Sequence, residues 1–92
     1  MPIITLMSTS EKPWHFYLAR CSDDSLYAGI CVDLDARFEK HNSGKGAKYT
    51  RSRLPVEMVY SETLPDQSAA LRREAEVKKW SRSKKERLLA EA

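Results

Sequence analysis

One segment in the first half of the chain combines apolar anchors with two side chains that can do chemistry. By the i, i+3, i+4, i+7 pattern of a helix, one face of LDARFEKHN holds Leu34, Arg37, Phe38 and His41. Leu34 and Phe38 are the expected core anchors, which places Arg37 and His41 along the border of the core. A guanidinium there can hold a phosphate through two hydrogen bonds. The alternative is that Arg37 extends to water and His41 caps the helix, and this helix alone slightly favours that alternative.

A later helical segment carries a carboxylate on its expected packing face. Projected at 100° per residue, Glu74 lies between Leu71 and Val77, whereas Glu76 falls nearly opposite and should be solvated. A carboxylate on a packing face needs a cation or a metal ion to stay ionised. Arg37 or a hard divalent ion would serve, so a purely structural Glu74–Arg37 ion pair stays an open alternative.

Two tyrosines lie on neighbouring predicted strands, Tyr17 in WHFYLARC and Tyr27 in LYAGIC. Strand tyrosines are usually packing residues, but a phenol near a metal and an arginine can have a depressed pKa and act as a base. Side chains alternate along a strand, so the two phenols share a face only if the connection is odd in length or a bulge intervenes. We therefore expect such a feature between Cys21 and Tyr27 or within either strand.

The charge distribution predicts an anionic partner. The net charge is +3, and the stretch KGAKYTRSR contains four cations and no acid. Basic patches without an apolar companion favour nucleic acid over a membrane, although solvated surface charge is the alternative. The expected nucleic-acid contacts in this stretch are Lys45, Lys48, Tyr49, Arg51 and Arg53. For the basic run over residues 72–87, solvated surface explains the charges equally well.

The order of the elements predicts an α+β fold. Residues 1–12 are predicted to form a weakly structured arm, and residues 13–92 one domain with a modest core. The SDDS turn makes a β-hairpin of the first two strands, and PVEMVYSE is the third strand. The order β-β-α-β-α-α predicts a small, mainly antiparallel three-stranded sheet flanked by helices.

Capping residues set the expected bounds of the three helices. Asp33 is the predicted N-cap of the first helix, and Gly44 is placed to end it. Asp66 is expected to cap the second helix, which runs to about Trp80. Ser81 or Ser83 is expected to cap the third, and the sequence from Ser83 to Glu86 fits a capping box.

The two cysteines, Cys21 and Cys31, do not show the spacing of a zinc site. The sequence leaves a disulfide between them possible. No export signal is recognisable, so we expect reduced, buried thiols and a cytoplasmic protein.

Together these residues resemble a known family. Tyr17, Tyr27-Ala28-Gly29, Arg37, His41 and Glu74 match the order and spacing of the GIY-YIG nuclease superfamily. The phrases LYAGICVDLDARFEKHNSGKGAKYTR and ALRREAEVKKWS resemble the small, single-domain bacterial UPF0213 (YhbQ-like) group, over roughly residues 14–90. The first motif departs from the family pattern, since His15-Phe16 precedes Tyr17 in place of Gly-Ile.

The resemblance implies a metal-dependent endonuclease that hydrolyses DNA phosphodiester bonds, in DNA repair or processing. It implies Mg²⁺, or Mn²⁺, on Glu74 and a phosphate contact from Arg37. A tyrosine, by preference Tyr27, would activate water, Tyr17 is the tyrosine of the first motif, and His41 would assist. A nucleic-acid-binding module that keeps the fold but has little hydrolytic activity is the alternative.

Overall fold

The computed structural model of the chain describes residues 12–92, so the predicted arm lies outside the described residues except for Lys12. Three strands, β1 (Trp14–Arg20), β2 (Leu26–Cys31) and β3 (Glu57–Leu64), form one antiparallel sheet in the order β2-β1-β3. The predicted α+β class and the antiparallel three-stranded sheet are confirmed. Each helix in this part of the chain is too short or too polar to cross a membrane.

The helices begin where the sequence places their caps, with one correction. Helix α1 (Leu34–Lys40) starts at Asp33, and helix α3 (Gln67–Lys78) starts at Asp66; each carboxylate accepts a backbone N–H of the first turn. Helix α4 (Arg82–Glu91) starts at Ser81, whose hydroxyl accepts the N–H of Lys84. The predicted capping box from Ser83 to Glu86 is therefore wrong.

Two further elements between α1 and β3 were not predicted. A π-helical turn (His41–Lys45) continues α1, and a short helix, α2 (Lys48–Arg51), follows it. Gly44 lies inside the π-helical turn at φ 84°, a backbone conformation that favours glycine. The predicted end of α1 at Gly44 therefore marks a real break in the helical backbone.

The hairpin turn places the two tyrosines on one face of the sheet. The N–H of Cys21 donates to the carbonyl of Ser25, and Asp24 adopts a positive φ of 70°, which closes a connection of odd length. In the resulting register Tyr17 lies opposite Gly29 and Tyr27 opposite Ala19. The predicted odd connection is confirmed.

The sheet separates two apolar clusters. The first contains Tyr17, Ala19 and the two buried, free cysteines, and α1 packs on it through Leu34 and Phe38. The second contains Phe16, Leu18 and Ala28, and α3 packs on it through Val77. Because alternate residues of a strand face opposite sides, α1 and α3 cover opposite faces of the sheet.

Gly29 leaves the space that the Tyr17 ring occupies on the neighbouring strand. A Cβ at position 29 would lie 2.5 Å from Tyr17 Oη and 2.7 Å from its Cζ. Tyr17 is fully buried and cannot yield space to that Cβ by turning into solvent. The glycine of the YAG motif is therefore required by packing.

We expect Gly29→Ala to lower the free energy of unfolding by about 1–3 kcal/mol, because the added methyl group overpacks the core against Tyr17. Urea unfolding measures the loss. The matched control is Gly44→Asn, because no atom lies within 4 Å of a Cβ there and Asn tolerates positive φ, so its stability should stay within about 1 kcal/mol of the parent. An equal loss in both variants would contradict the packing explanation.

Candidate functional site

Three of the predicted site residues form one hydrogen-bonded cluster between α1 and β1. Tyr17 Oη lies 2.9 Å from His41 Nε2 and accepts a hydrogen bond from Arg37 Nε at 3.2 Å. Tyr17 and His41 are fully buried, whereas Arg37 is half-buried. His41 therefore lies inside the core and not at its border, which corrects the expectation from helix spacing.

The direction of every hydrogen bond in this cluster follows from its two ends. The carbonyl of Ala47 can only accept, and it receives the Thr50 hydroxyl at 2.9 Å. Thr50 Oγ1 must then accept from His41 Nδ1 at 3.0 Å, which leaves Nε2 to accept the Tyr17 hydroxyl. At the other end Arg37 can only donate. Each group thus donates to the next: Arg37 to Tyr17, Tyr17 to His41, His41 to Thr50, and Thr50 to the carbonyl of Ala47.

Burial keeps the central groups of this chain neutral. It raises the pKa of Tyr17 to about 12, outweighing the hydrogen bond and positive charge of Arg37, which lower it. Burial, and then the charge of Arg37, lower the pKa of His41 below its ordinary value of 6.5. A depressed tyrosine pKa was one prediction from the sequence, and for Tyr17 it is wrong.

We expect stability to fall when the pH is lowered through about 6.5. Because the folded-state pKa of His41 is below its unfolded value, the unfolded chain takes up the proton first. The stability that neutral His41 contributes is complete above the unfolded pKa and decreases below it. Urea unfolding between about pH 8 and 5.5 measures this loss, and NMR signals of the His41 ring assign it. A His41 that titrates above its ordinary pKa would contradict this prediction.

Tyr27 is the more accessible of the two candidate phenols. It is half-buried, and its ring centroid lies 5.6 Å from that of His41 and 6.4 Å from that of Tyr17. Its ring stacks on Tyr49, with centroids 5.8 Å apart and an interplanar angle of 24°. The structure therefore brings Tyr27 into contact with the cluster of Tyr17 and His41.

Arg37 has an unusual charge environment. None of the salt bridges found within residues 12–92 includes Arg37. Burial lowers the pKa of this guanidinium, but hydrogen bonding to Tyr17 and the nearby phenol of Tyr27 outweigh that effect, and the net pKa is raised. A half-buried cation whose identified polar contacts are phenols is suited to bind an anion from outside the chain.

Glu74 lies on helix α3, which packs on the face of the sheet opposite to α1, and no contact found in the described residues joins it to this cluster. It stands between the buried residues Ala70 and Val77 on the helix, and its side chain is 19% exposed. Its ion-pair partner is Lys78, at 3.4 Å. The structural Glu74–Arg37 pair is absent from the described part of the chain, and a common cleft for the two residues stays a prediction.

The other positions on α3 follow the prediction only in part. Glu76 is solvated as expected, with a side chain 57% exposed, and it pairs with Arg73. Leu71 was expected on the packing arc but is 47% exposed. Within residues 12–92 no three His, Cys, Asp or Glu side chains converge as a metal cage.

The basic stretch divides into exposed cations and one paired arginine. Lys45, Lys48 and Arg51 are exposed, and no salt bridge found in the described chain uses them. Arg53 pairs with Asp23 at 2.9 Å, and its guanidinium lies 3.9 Å from the centroid of the Tyr49 ring. The first three are suited to contact an anionic partner, whereas Arg53 already pairs with Asp23.

Two residues that support His41 were not predicted from the sequence. Thr50 is fully buried and bonds the imidazole, as described above. Gly46 allows the chain to pass beside His41, since a Cβ there would lie 2.5 Å from Nδ1 and 2.8 Å from the His41 Cα. The sequence feature that could have indicated these two residues is a glycine and a threonine shortly after the candidate histidine.

Comparison with known proteins shows the family of the chain. A family model described as the GIY-YIG catalytic domain matches residues 13–87. A UPF0213 protein of Staphylococcus aureus strain Mu3 is 54% identical over 78 residues, which cover 84% of this chain and 95% of that protein.

Two solved solution structures are also similar to this chain. The UPF0213 protein BH0048 from Bacillus halodurans has 46% identity and a TM-score of 0.56, with 85% of this chain and 83% of that chain covered. Protein EF2693 from E. faecalis has 40% identity and a TM-score of 0.60, with 87% and 85% covered. The chain therefore belongs to the GIY-YIG nuclease family, in its small UPF0213 group.

Proposed function

We propose that this protein is a metal-dependent endonuclease that hydrolyses phosphodiester bonds of DNA, in repair or processing. The observation that carries the proposal is the guanidinium of Arg37, half-buried beside two phenols and without a carboxylate partner in the described residues. A cation held in this way gains most from an external anion such as a phosphodiester. The family match supports a nucleic-acid substrate.

In this proposal each residue of the candidate site has a distinct role. Arg37 binds the non-bridging phosphate oxygens and stabilises the charge that builds on them. Tyr27 acts as the general base and takes the proton of the attacking water while the new P–O bond forms. The bond to the leaving oxygen breaks, and that oxygen takes up a proton from solvent. Tyr17 holds Arg37 by accepting its Nε–H, and His41 fixes the Tyr17 hydroxyl. Buried, neutral Tyr17 does not serve as the base.

Glu74 is the proposed ligand of a divalent cation. Mg²⁺ commonly takes one or two protein carboxylates and completes its shell with water and substrate phosphate oxygens. One carboxylate that is 19% exposed, outside any cage of three ligating side chains in residues 12–92, fits that mode of binding. When bound, Mg²⁺ or Mn²⁺ supplies Lewis-acid stabilisation of phosphate charge.

A cleavage assay tests the proposal directly. Labelled single-stranded, duplex and branched DNA would be incubated with the purified protein, with and without Mg²⁺ or Mn²⁺. We expect cleavage of at least one substrate only when the metal is present. DNA binding without cleavage of any substrate would overturn the endonuclease and favour the binding module.

The exposed cations predict how the protein holds its substrate. Replacing Lys45, Lys48 and Arg51 together by Gln should weaken DNA binding and reduce the slope of log affinity against log salt by up to roughly 3, because fewer counterions are released. Fluorescence anisotropy over a salt series measures the slope. The control is Lys79→Gln, which changes another exposed lysine at the end of α3. An unchanged slope in the triple variant would show that these cations are ordinary solvated surface.

A further inference from the structure

Three planar side chains form a column beside the cluster of Tyr17 and His41. The Tyr27 ring stacks on the Tyr49 ring, with centroids 5.8 Å apart. The guanidinium of Arg53 lies over the Tyr49 ring, 3.9 Å from its centroid. Tyr49 thus contacts both Tyr27 and Arg53, and the residue is 40% exposed. We refer to these three side chains as the stacked column.

The outer end of the stacked column is tied to the hairpin turn. Arg53 Nε donates to Asp23 Oδ2 at 2.9 Å, and Arg53 Nη1 donates to the carbonyl of Tyr49 at 2.7 Å. Asp23 is itself held, because its Oδ1 accepts the N–H and the hydroxyl of Ser25. The N–H of Ser22 donates to the Arg53 carbonyl at 2.9 Å. Side-chain and backbone bonds therefore fix Arg53 to the turn that precedes Tyr27.

The inner end of the stacked column contacts the candidate site. Tyr27 lies on β2, an edge strand, with the His41 ring on one side and Tyr49 on another. Stacked aromatic pairs and guanidinium–aromatic contacts are attractive beyond the apolar area that they bury. Such contacts favour one orientation of the half-buried Tyr27 phenol.

We propose that Tyr49 and Arg53 are positioning residues, which act through the stacked column to orient the Tyr27 phenol. This inference rests on the proposed function, in which Tyr27 accepts the proton of water. It replaces the DNA contacts predicted for these two residues from the sequence. The Tyr49 ring already contacts the Tyr27 ring and the Arg53 guanidinium, and the charge of Arg53 is balanced by Asp23, so these contacts within the chain account for both residues.

A pair of isosteric substitutions in the hairpin turn separates positioning from DNA contact. Asp23→Asn places an amide N–H against Arg53 Nε, which is also a donor, and so weakens the hydrogen bond that holds Arg53. Asp24→Asn removes the same charge from the same turn, but Asp24 contacts Arg82 and not Arg53. Asp24 has φ 70°, which Asn tolerates. If Arg53 positions Tyr27, Asp23→Asn should lower kcat about 10-fold or more at unchanged KM, and Asp24→Asn should not.

If Arg53 is a DNA contact, the opposite result is expected. Releasing its charge in Asp23→Asn would then strengthen DNA binding and raise kcat/KM. Such an increase would overturn the positioning role, and so would equal kcat values for the two variants.

A readout that needs no activity keeps the test separate from the proposed function. Because the two rings stack, the ring current of Tyr49 should shift the ring protons of Tyr27. NMR should show that shift reduced in Asp23→Asn and abolished in Tyr49→Leu, but retained in Asp24→Asn. A parent that cuts no DNA would overturn the endonuclease, whereas Tyr27 signals that do not change in Asp23→Asn would overturn the positioning role alone. Circular dichroism and thermal melts confirm that each variant is folded.

Discussion

Glu74→Gln is expected to lower the rate of DNA cleavage by roughly 100-fold or more while DNA affinity is retained. The substitution preserves size and removes the charge that would hold the divalent ion, whose stabilisation of phosphate charge is worth several kcal/mol. Single-turnover cleavage with added Mg²⁺ measures the effect. The matched control is Glu76→Gln on the same helix, where the carboxylate is solvated and pairs with Arg73.

Thermal melts of the Glu74→Gln variant distinguish catalysis from structure. In the described chain Glu74 pairs with Lys78 one helical turn later, with 56% of the lysine side chain exposed. Such pairs contribute about 0.3–0.5 kcal/mol, so the variant should melt close to the parent. A loss of about 3 kcal/mol, as for a broken buried ion pair, would instead indicate a structural role. Cleavage at the parental rate would contradict the metal-binding role.

Arg37→Ala is expected to lower cleavage by about 100- to 1,000-fold, because it removes the group that neutralises charge developing on the phosphate. DNA binding should also weaken, since the same group contacts the phosphate in the ground state. The free energy of unfolding should change by no more than about 1.5 kcal/mol: the Tyr17 hydroxyl keeps its bond to His41 when the Arg37 donor is lost.

Two further variants sharpen the Arg37 experiment. Arg37→Lys keeps the charge but loses the planar guanidinium, and we expect it to recover binding more than cleavage. Lys40→Ala, at an exposed position on the same helix, is the control for a general loss of positive charge. An Arg37→Ala protein that is folded and cleaves DNA at the parental rate would contradict the proposed phosphate contact.

The sequence determined the local parts of this structure. Asp33 and Asp66 cap their helices as predicted, since a cap and the N–H that it accepts lie within three residues of each other. The odd hairpin connection also followed from the sequence, given that Tyr17 and Tyr27 share a face. Arg37 and His41 could be placed on one helical face because helical periodicity alone relates them.

Only the tertiary structure decided the contacts between residues far apart in the chain. Glu86 suits a capping box by spacing, yet its carboxylate binds Arg20 on β1 in a bidentate pair, and the hydrogen bonds with Arg20 and Arg82 lower its pKa to about 2. The Glu86 carboxylate is therefore bonded to Arg20 and not to the backbone N–H of Ser83 that a capping box requires. Ser81 begins the helix instead.

The electrostatics of the candidate site were decided in the same way. Helical spacing placed His41 near Arg37, and the family resemblance added Tyr17 to the site. Neither revealed that the rings of Tyr17 and His41 are fully buried or that Thr50 completes their hydrogen-bond chain. Burial is set by what packs over a residue from other elements, and burial is what raises the pKa of Tyr17 and lowers that of His41. Periodicity tells which side chains share a helical face, whereas desolvation depends on the whole fold.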